Sequence, residues 1–330
     1  MSQKVSRPSA NAPWSPPNLS TWLTQVDETQ YWLLPGFIPQ DAHTLMSGQQ
    51  KRAAKTMTAL AMTLSLATKT KYALFEPPKK TKVCYVLEEG AKAETKQRIV
   101  SIAKGMKIDP YTALTNVSWV FRERVKLDDD KWRIRLVKHC AETKAELIVL
   151  DAMSYLHKGD ENDTKEMIQV VDTLQALRQT GASTLYLAHL DKVRGENPKA
   201  DIDTQVRGSS VTVNAYDNHI ANRRYHMRDA HIDVIVRPRG GEERFYSMAW
   251  DFPGAGEDGG AKLSMTEKNA GDIDDKFVTK CERKLKEDKT YSLTALRELW
   301  DVSKKVGMAV IEKLEDQGRL EEDGEDWRVV

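Results

Sequence analysis

The sequence is poor in cysteine and in long apolar runs. Its three cysteines, Cys84, Cys140 and Cys281, are far apart and lack the spacing of metal ligands. They therefore indicate reduced thiols rather than a disulfide framework. The charge-free run at 56–68 has 13 residues, fewer than the roughly 20 that a membrane-spanning helix needs. These absences argue against a disulfide-stabilised secreted domain and against a membrane partner.

Net charge is also nearly absent, because 50 Lys+Arg stand against 49 Asp+Glu. This balance excludes a surface that is basic all over, as a protein that coats a polyanion would have. The charges are nevertheless uneven: residues 1–110 hold 15 Lys+Arg and 8 Asp+Glu, whereas residues 276–330 hold 12 and 13. Any contact with nucleic acid is therefore expected in local loops.

The length of 330 residues predicts about two domains. Residues 1–29 begin with a proline-rich stretch and contain no apolar core of a signal peptide. We therefore expect a mobile tail on a cytoplasmic protein. Glycine and aspartate cluster at 254–275, which is typical of a linker. This division leaves a core at 30–253 and a smaller domain at 276–330.

Apolar strands alternate with helices within the core. Uninterrupted apolar runs are typical of parallel strands that are covered on both faces, so the pattern predicts an α/β fold with a mainly parallel sheet. Ligands of such sheets bind at the carboxyl ends of the strands. The predicted strands are 43–48, 82–89, 117–121, 146–151 and 183–190, followed by shorter ones at 217–225, 231–239 and 244–252; the predicted helices are 56–68, 91–104 and 164–180.

The segment 47–56, SGQQKRAAKT, connects a predicted strand to a predicted helix, where a phosphate-binding P-loop belongs. Such a loop needs glycine for close approach of backbone N–H groups, a lysine for the outer phosphates and a hydroxyl for Mg²⁺. Lys55 and Thr56 supply the last two if the loop is one residue longer than usual and Ala54 replaces the second glycine. We favour this register because it keeps both functional groups.

In the other register, counted with normal spacing from Gly48, Ala53 and Ala54 take the next two motif positions and Lys55 takes the hydroxyl position. A basic loop that only caps a helix also remains open. The candidate nucleotide-contacting residues of the loop are Gly48, Gln50, Lys51, Ala54, Lys55 and Thr56.

Polar residues end the other predicted strands. Asp151 fits a Walker B carboxylate that holds the water shell of Mg²⁺, or else it caps the following loop. Glu88 and Glu89 end another strand, and a carboxylate there can orient and deprotonate an attacking water. Because neighbouring strand residues face opposite ways, only one of the two can face the site; both can also be solvated surface charges.

His189 ends a further strand, where it can sense a phosphate or serve a structural role. Arg207 follows a polar stretch and can act as an arginine finger, in cis or across a subunit interface, or be an exposed loop residue. The three histidines at 219, 226 and 231 lack the thiol-containing spacing of zinc sites. We therefore predict no metal other than the Mg²⁺ of a nucleotide, held by Thr56 and Asp151.

The last 55 residues, 276–330, are expected to form a winged helix-turn-helix. The pattern predicts a short helix at 290–299, a second helix capped by Ser303, and a hairpin that turns at Asp323-Gly324. Ser303, Lys304 and Lys305 are the candidate contacts to a major groove. The balanced charge leaves DNA binding and protein docking both open.

Taken in order, the motifs of the core resemble RecA-like AAA-family ATPases of the RepA replicative-helicase type, which are common in phages and plasmids. The resemblance covers about Tyr31 to Phe252, and the segments at 160–163 and 189–192 are especially similar. The motifs are QYWLLPGFIPQDAHTLMSGQQKR…KT, VCYVLEEG…ETKQRI, LIVLDAMSYLHKGDENDTKEM, TLYLAHLDK and VRGSS.

This resemblance implies a RecA-like core that hydrolyses Mg-ATP at the subunit interfaces of a ring-shaped homo-oligomer, expected to be a hexamer, on single-stranded DNA. It implies that Glu89 rather than Glu88 is the catalytic carboxylate, that His189 is a sensor and that Arg207 is the finger. The loops at 154–164 and 193–206 would face DNA. The location would be the cytoplasm of a bacterial or phage-infected cell, and the C-terminal domain would contact replication proteins.

The P-loop departs from the family pattern, because Ala-Lys-Thr stands one residue later than Gly-Lys-Ser/Thr would. A replicative DNA helicase or translocase is the first expectation from the resemblance. The alternatives are a RecA-like recombination or helicase-loading ATPase and a nucleotide-binding scaffold that does not hydrolyse ATP.

Overall fold

The computed structural model of the chain describes residues 18–25, 29–51, 53–190, 201–224, 231–253, 259–268, 275–287, 289–300 and 304–330. The chain divides into two compact units, Met1–Tyr31 and Trp32–Val330. In the first unit a helix at Leu19–Gln25 stands within the predicted tail. It begins where the Asn18 side chain accepts a hydrogen bond from the Thr21 backbone N–H at 2.9 Å. The rest of the tail before Asn18 lies outside the described residues.

The strands and helices predicted for the core occur in the expected order among the described residues, and a helix at Asp130–Thr143, between two predicted strands, was not predicted. The helices are α1 (Leu19–Gln25), α2 (Lys55–Thr68), α3 (Lys92–Gly105), α4 (Pro110–Ala113), α5 (Asp130–Thr143), α6 (Thr164–Gln179), α7 (Ser210–Asn214), α8 (Asp275–Glu282), α9 (Leu293–Trp300) and α10 (Lys304–Asp316). The strands are β1 (Trp32–Leu34), β2 (Ile38–Pro39), β3 (His43–Gly48), β4 (Val83–Leu87), β5 (Val117–Phe121), β6 (Leu147–Asp151), β7 (Ser183–His189), β8 (Asn218–Arg223), β9 (Ile232–Pro238), β10 (Arg244–Asp251), β11 (Lys262–Lys268), β12 (Thr290–Ser292), β13 (Leu320–Asp323) and β14 (Asp326–Val329).

The described part of the chain builds one large sheet of nine strands in the order β11-β10-β9-β8-β3-β7-β6-β4-β5. The strands from β8 to β5 in this order are parallel, and β9, β10 and β11 add an antiparallel edge. Strands β3, β4 and β6 are buried along their whole length, because both faces of the sheet are covered. The predicted α/β fold with a mainly parallel sheet is confirmed.

Two hydrophobic clusters cover the two faces of this sheet. Tyr85 and Leu87 of β4 pack with α2, whereas Cys84 and Val86 pack with α5 and α6 on the other face. The residues of β6 alternate between the two clusters in the same way, and Val149 packs on the face that α2 covers. Because side chains alternate along a strand, Asp151, two positions after Val149, lies on the same face. The last residue of β6 therefore lies on the face where the P-loop helix packs.

The predicted linker at 254–275 is wrong for seven of its residues, because Lys262–Lys268 forms strand β11. This strand pairs with β10 along its whole length and buries Leu263 and Met265. The segment KLSMTEK alternates apolar and polar residues, which is the pattern of an edge strand with one buried face. Residues 254–258 and 269–274 of the predicted linker lie outside the described part of the chain; the domain boundaries stay predictions.

The C-terminal residues form a small three-stranded sheet in the order β12-β14-β13 and have a hydrophobic core of their own. The predicted helix at 290–299 is wrong at its start, because Thr290–Ser292 pairs with β14. The Ser292 hydroxyl then accepts a hydrogen bond from the Ala295 N–H at 3.2 Å, which caps α9. The predicted hairpin is present, with Asp323 opposite Asp326. Ser303 lies outside the described residues, as do the side chains of Lys304 and Lys305.

None of the helices that the structure describes combines the length and the apolar character needed to cross a bilayer.

Candidate nucleotide-binding site

The candidate site lies at the carboxyl edge of the parallel strands. Gly48 at the end of β3 is paired in register with His189 at the end of β7. Leu87 at the end of β4 is paired with Asp151 at the end of β6, and Glu89 follows two residues after Leu87. The topology therefore brings the predicted strand-end residues to one edge, as expected for ligand sites in parallel sheets.

Gly48 begins the loop between β3 and α2, and this position has no room for a side chain. A Cβ atom there would lie 2.6 Å from the Ala53 Cβ and 2.7 Å from the Asn222 backbone oxygen. The Asn222 side chain donates a hydrogen bond to the Ala53 backbone oxygen at 3.1 Å. Strand β8 therefore holds the loop down on the sheet edge, and the first glycine of the motif is needed for this close approach.

The Lys55 ammonium turns back into the loop. It is buried and donates to the backbone oxygen of Gly48 at 2.7 Å and to that of Gln49 at 3.3 Å. It also lies 3.1 Å from Nδ1 of His189. Since an ammonium can only donate, Nδ1 of His189 is the acceptor of this contact.

Charges and burial set the protonation of these two side chains. Burial lowers the pKa of Lys55 to about 8, and the carboxylates of Asp151 and Glu89 oppose this shift. Burial also lowers the pKa of His189 to about 4, and the positive charges of Lys55 and Arg207 add to the effect. At neutral pH His189 is therefore uncharged. With Nδ1 accepting from Lys55, its proton is on Nε2.

The Nε2 atom of His189 is buried and has no hydrogen-bond partner among the described residues. A buried N–H group without an acceptor is costly, and native structures usually pair such groups. A phosphate oxygen at the edge of the sheet would supply the missing acceptor. The residues present thus fit an anionic ligand held between the P-loop and His189.

Asp151 is fully buried and accepts two side-chain hydrogen bonds. The Thr56 hydroxyl donates to Oδ1 at 3.3 Å and the Tyr85 hydroxyl donates to Oδ2 at 2.9 Å. Burial raises the pKa of Asp151 to about 6, against the hydrogen bond from Tyr85. The group is therefore mainly ionised at pH 7. A carboxylate beside a hydroxyl is a set of hard oxygen ligands that suits Mg²⁺.

The two neighbouring glutamates have different surroundings. Glu88 accepts hydrogen bonds from the backbone N–H groups of Arg124 at 3.1 Å and Val125 at 3.0 Å. Glu89 instead raises the pKa of both Lys55 and Asp151 through its negative charge. Glu88 therefore anchors the segment that follows β5, whereas the charge of Glu89 acts on Lys55 and Asp151.

The remaining predicted residues lie at the rim of the site. The Arg207 backbone N–H donates to the His189 oxygen at 2.9 Å, and its guanidinium pairs with Glu161. Gln50 and Lys51 are exposed on the outer part of the P-loop. Residues 193–200 of the predicted DNA-facing loop at 193–206 lie outside the described part of the chain. The histidine at 226 lies outside it too.

A buried polar chain that sequence reasoning missed supports the strand below the P-loop. Nε2 of His219 lies 2.8 Å from the Ser47 hydroxyl, and Nδ1 lies 2.7 Å from Asp203 Oδ1. Asp203 in turn forms an ion pair with Arg237 at 2.9 Å. This chain ties β3 and β8 to the segment that leads to Arg207. The sequence carries no signal for it, because Ser47 and His219 are 172 residues apart.

Ala54 adopts a left-handed backbone conformation, with φ 51° and ψ 27°, immediately before α2. This conformation favours glycine, because a Cβ atom costs about 1 kcal/mol or more there. Replacing Ala54 with glycine is therefore expected to raise the free energy of unfolding by about 0.5–1 kcal/mol, measured by thermal or denaturant unfolding.

The matched control is Ala59→Gly, in the interior of the same helix and fully buried. Glycine in a helix interior is expected to lower the free energy of unfolding by about 1 kcal/mol or more. Equal losses in the two variants would contradict the left-handed conformation of Ala54.

Comparisons with known proteins found similarities to a protein family and to solved structures. Residues 14–195 match the AAA domain family, which is more than half of the chain. Among solved structures, a KaiC-like protein from the hyperthermophilic archaeon Pyrococcus horikoshii OT3 is 14% identical, with a TM-score of 0.45. That alignment covers 71% of this chain and 93% of the other. No protein with a curated description matches this sequence. The chain belongs to the AAA domain family, and its fold is that of a RecA-like P-loop ATPase.

Proposed function

We propose that the protein is a DNA motor that hydrolyses Mg-ATP, a replicative helicase or translocase acting on single-stranded DNA. The observation that supports it is the convergence of Lys55, Asp151 and Glu89 at one sheet edge, where their charges act on one another. In this proposal Lys55 binds the outer phosphates, and Glu89 orients and deprotonates the attacking water.

The donor set at the site fits the nucleotide and its metal. Thr56 and Asp151 would hold Mg²⁺, which neutralises charge on the β- and γ-phosphates when it is bound. His189 keeps its proton on Nε2 because Nδ1 accepts from Lys55. Its free N–H would then donate to a phosphate oxygen and sense whether the nucleotide is present.

Arg207 is proposed as an arginine finger that acts across the interfaces of a ring, expected to be hexameric. Its side chain is 52% exposed and lies beside the strand end that carries His189. Within one chain its guanidinium pairs with Glu161. Reaching a nucleotide on a neighbouring subunit would exchange this carboxylate for phosphate oxygens, which can accept two parallel hydrogen bonds from a guanidinium.

The loop after β6 is the proposed DNA contact. Tyr155 is 46% exposed, and the Lys126 ammonium donates to its backbone oxygen at 2.6 Å. The acidic residues of the same loop each have a partner within the chain: Asp163 caps α6, Glu161 pairs with Arg207 and Asp160 accepts from Asn162. An exposed aromatic ring with basic residues nearby is the arrangement on which single-stranded bases stack.

We expect Tyr155→Ala to weaken binding of single-stranded DNA about tenfold or more, because stacking contributes about 1–3 kcal/mol per base. The measurement is fluorescence anisotropy with a labelled oligonucleotide at fixed salt. Tyr111→Ala is the control, since Tyr111 is 75% exposed but lies in α4. An equal effect of both variants would contradict the assignment of this loop.

The function itself is tested by ATP hydrolysis with and without single-stranded DNA, followed by unwinding of a forked duplex. A motor gives hydrolysis that DNA stimulates, and a helicase also separates the strands. Stimulated hydrolysis without strand separation would favour the recombination or helicase-loading ATPase. Absence of any DNA stimulation would contradict the proposal.

A second candidate is a scaffold that binds a nucleotide without hydrolysing it. The specific observation that favours it is the P-loop itself, where Ala54 takes a glycine-type conformation and Lys55 bonds to backbone oxygens of its own loop. Tight ATP binding with no phosphate release from the unmodified protein would support the scaffold over the motor.

For the C-terminal domain we propose a winged helix-turn-helix that docks to replication proteins. The order strand, helix, helix, hairpin supports this fold. Glu321, Glu322 and Asp323 are exposed on β13, and an acidic hairpin opposes contact with phosphates. Protein docking is therefore favoured over DNA reading.

A further inference from the structure

Tyr85 lies in the middle of β4, in a strand whose other residues are apolar, and it has no exposed surface. Its hydroxyl donates to Asp151 Oδ2 at 2.9 Å. A buried tyrosine hydroxyl needs a partner, and this one bonds to the carboxylate that the proposed function assigns to Mg²⁺. The tyrosine itself is not at the sheet edge and does not reach the P-loop through any hydrogen bond in the described residues.

Strand register determines this contact. Tyr85 is opposite Trp119 of β5, and the two rings stack with centroids 4.8 Å apart at an angle of 23°. Leu87, two residues later on the same face, is opposite Asp151. The hydroxyl of Tyr85 therefore reaches Asp151 diagonally across the sheet, and the stacked Trp119 keeps the ring in this orientation.

The two carboxylate oxygens of Asp151 therefore have different partners and different roles. Oδ2 is occupied by Tyr85, and Oδ1 faces the Thr56 hydroxyl on the P-loop helix. A carboxylate held at one oxygen cannot rotate freely, so the other oxygen keeps a constant direction toward the metal side. The charged groups that act on Asp151 from the surrounding elements are Lys55 of α2 and Glu89 after β4.

We propose that Tyr85 is a positioning residue for the Mg²⁺ site, which fixes the direction in which Asp151 presents Oδ1 beside Thr56. This inference rests on the proposed nucleotide site. It adds a residue two positions before the end of β4, which acts on the site only through Asp151. Partners of this kind typically change metal affinity or activity by about 10–100-fold.

The test is isothermal titration calorimetry, in which ATP is titrated into the full-length protein with Mg²⁺ and, separately, with EDTA. Tyr85→Phe keeps the ring stacked on Trp119 and removes only the hydroxyl. We expect its affinity for ATP to fall about tenfold with Mg²⁺ and to stay within about twofold in EDTA, and the Mg²⁺ concentration that gives half-maximal binding to rise.

Tyr186→Phe is the matched control, because Tyr186 is also buried and donates to the Thr212 backbone oxygen at 2.9 Å, on the other face of the sheet. We expect Tyr186→Phe to leave the affinity for ATP unchanged both with Mg²⁺ and in EDTA. An equal fall of affinity in Mg²⁺ and in EDTA for Tyr85→Phe would show a merely structural role and overturn the inference. Unchanged Mg²⁺ dependence would overturn it too.

The wild-type titration separates this inference from the function on which it rests. If the unmodified protein binds ATP no better with Mg²⁺ than in EDTA, the proposed nucleotide site fails, and the inference with it. If Tyr85→Phe does not fold, Trp119→Leu provides the second test, since it keeps the hydroxyl but removes the stacked ring. The inference then requires a smaller loss, confined to the Mg²⁺ titration.

Discussion

Replacing Lys55 with methionine is expected to lower the affinity for Mg-ATP about a hundredfold or more, because the phosphates lose their buried cationic partner. The fold should persist. Burial lowers the pKa of this ammonium to about 8, so burial disfavours its charge, and an apolar side chain of similar length removes that cost. This gain offsets the loss of the hydrogen bonds to Gly48, Gln49 and His189. The measurements are a nucleotide titration and a thermal unfolding midpoint close to that of the wild type.

Lys51→Met is the matched control for this variant. Lys51 belongs to the same loop but is exposed, so its loss is expected to change ATP affinity only a few-fold. Equal losses in both variants would mean that the overall charge of the loop matters rather than one lysine. If Lys55→Met bound ATP like the wild type, the register that assigns Lys55 to the phosphates would be wrong.

Replacing Glu89 with glutamine is expected to lower the rate of ATP hydrolysis about a thousandfold, within the range that a positioned general base contributes. Binding of ATP should be unchanged or slightly tighter, because the amide keeps the size of the side chain and removes a negative charge near the phosphates. The measurements are steady-state phosphate release and the same nucleotide titration.

Glu88→Gln provides the contrast, since it makes the same chemical change one residue earlier. Glu88 accepts from the N–H groups of Arg124 and Val125 with both oxygens. Its amide variant keeps one acceptor and is expected to lower the free energy of unfolding by about 1–2 kcal/mol, with hydrolysis within a few-fold of the wild type. If hydrolysis were lost only in Glu88→Gln, the assignment of the catalytic carboxylate to Glu89 would be wrong.

Much of the core could be predicted from the sequence for a local reason. The strands β4, β6 and β7 are mainly apolar runs with a polar residue at or directly after the last strand position, and β3 ends at a glycine. Since parallel strands end at a common edge, the candidate residues Gly48, Asp151 and His189 could be placed together without coordinates. That inference depends on periodicity and order alone.

The errors arose where local pattern was weak or was overridden by pairing. The three residues of β12 continue a helical pattern and become a strand because β14 lies beside them. Strand β11 lies between glycine-rich segments that are typical of linkers, but its alternating residues pair with β10. Both segments become strands because another strand pairs with them, and local propensity does not report such a partner.

The sequence by itself determined the fold class, the order of the strands along the chain and the polar residues at their ends, because these follow from local hydrophobic patterns. The tertiary structure alone decided that Glu88 accepts from the segment after β5, that His189 accepts from Lys55, and that Tyr85 donates to Asp151. Tyr85 and Asp151 are 66 residues apart. Contacts of this kind depend on strand register and on packing of helices against both faces of the sheet, neither of which a local pattern encodes.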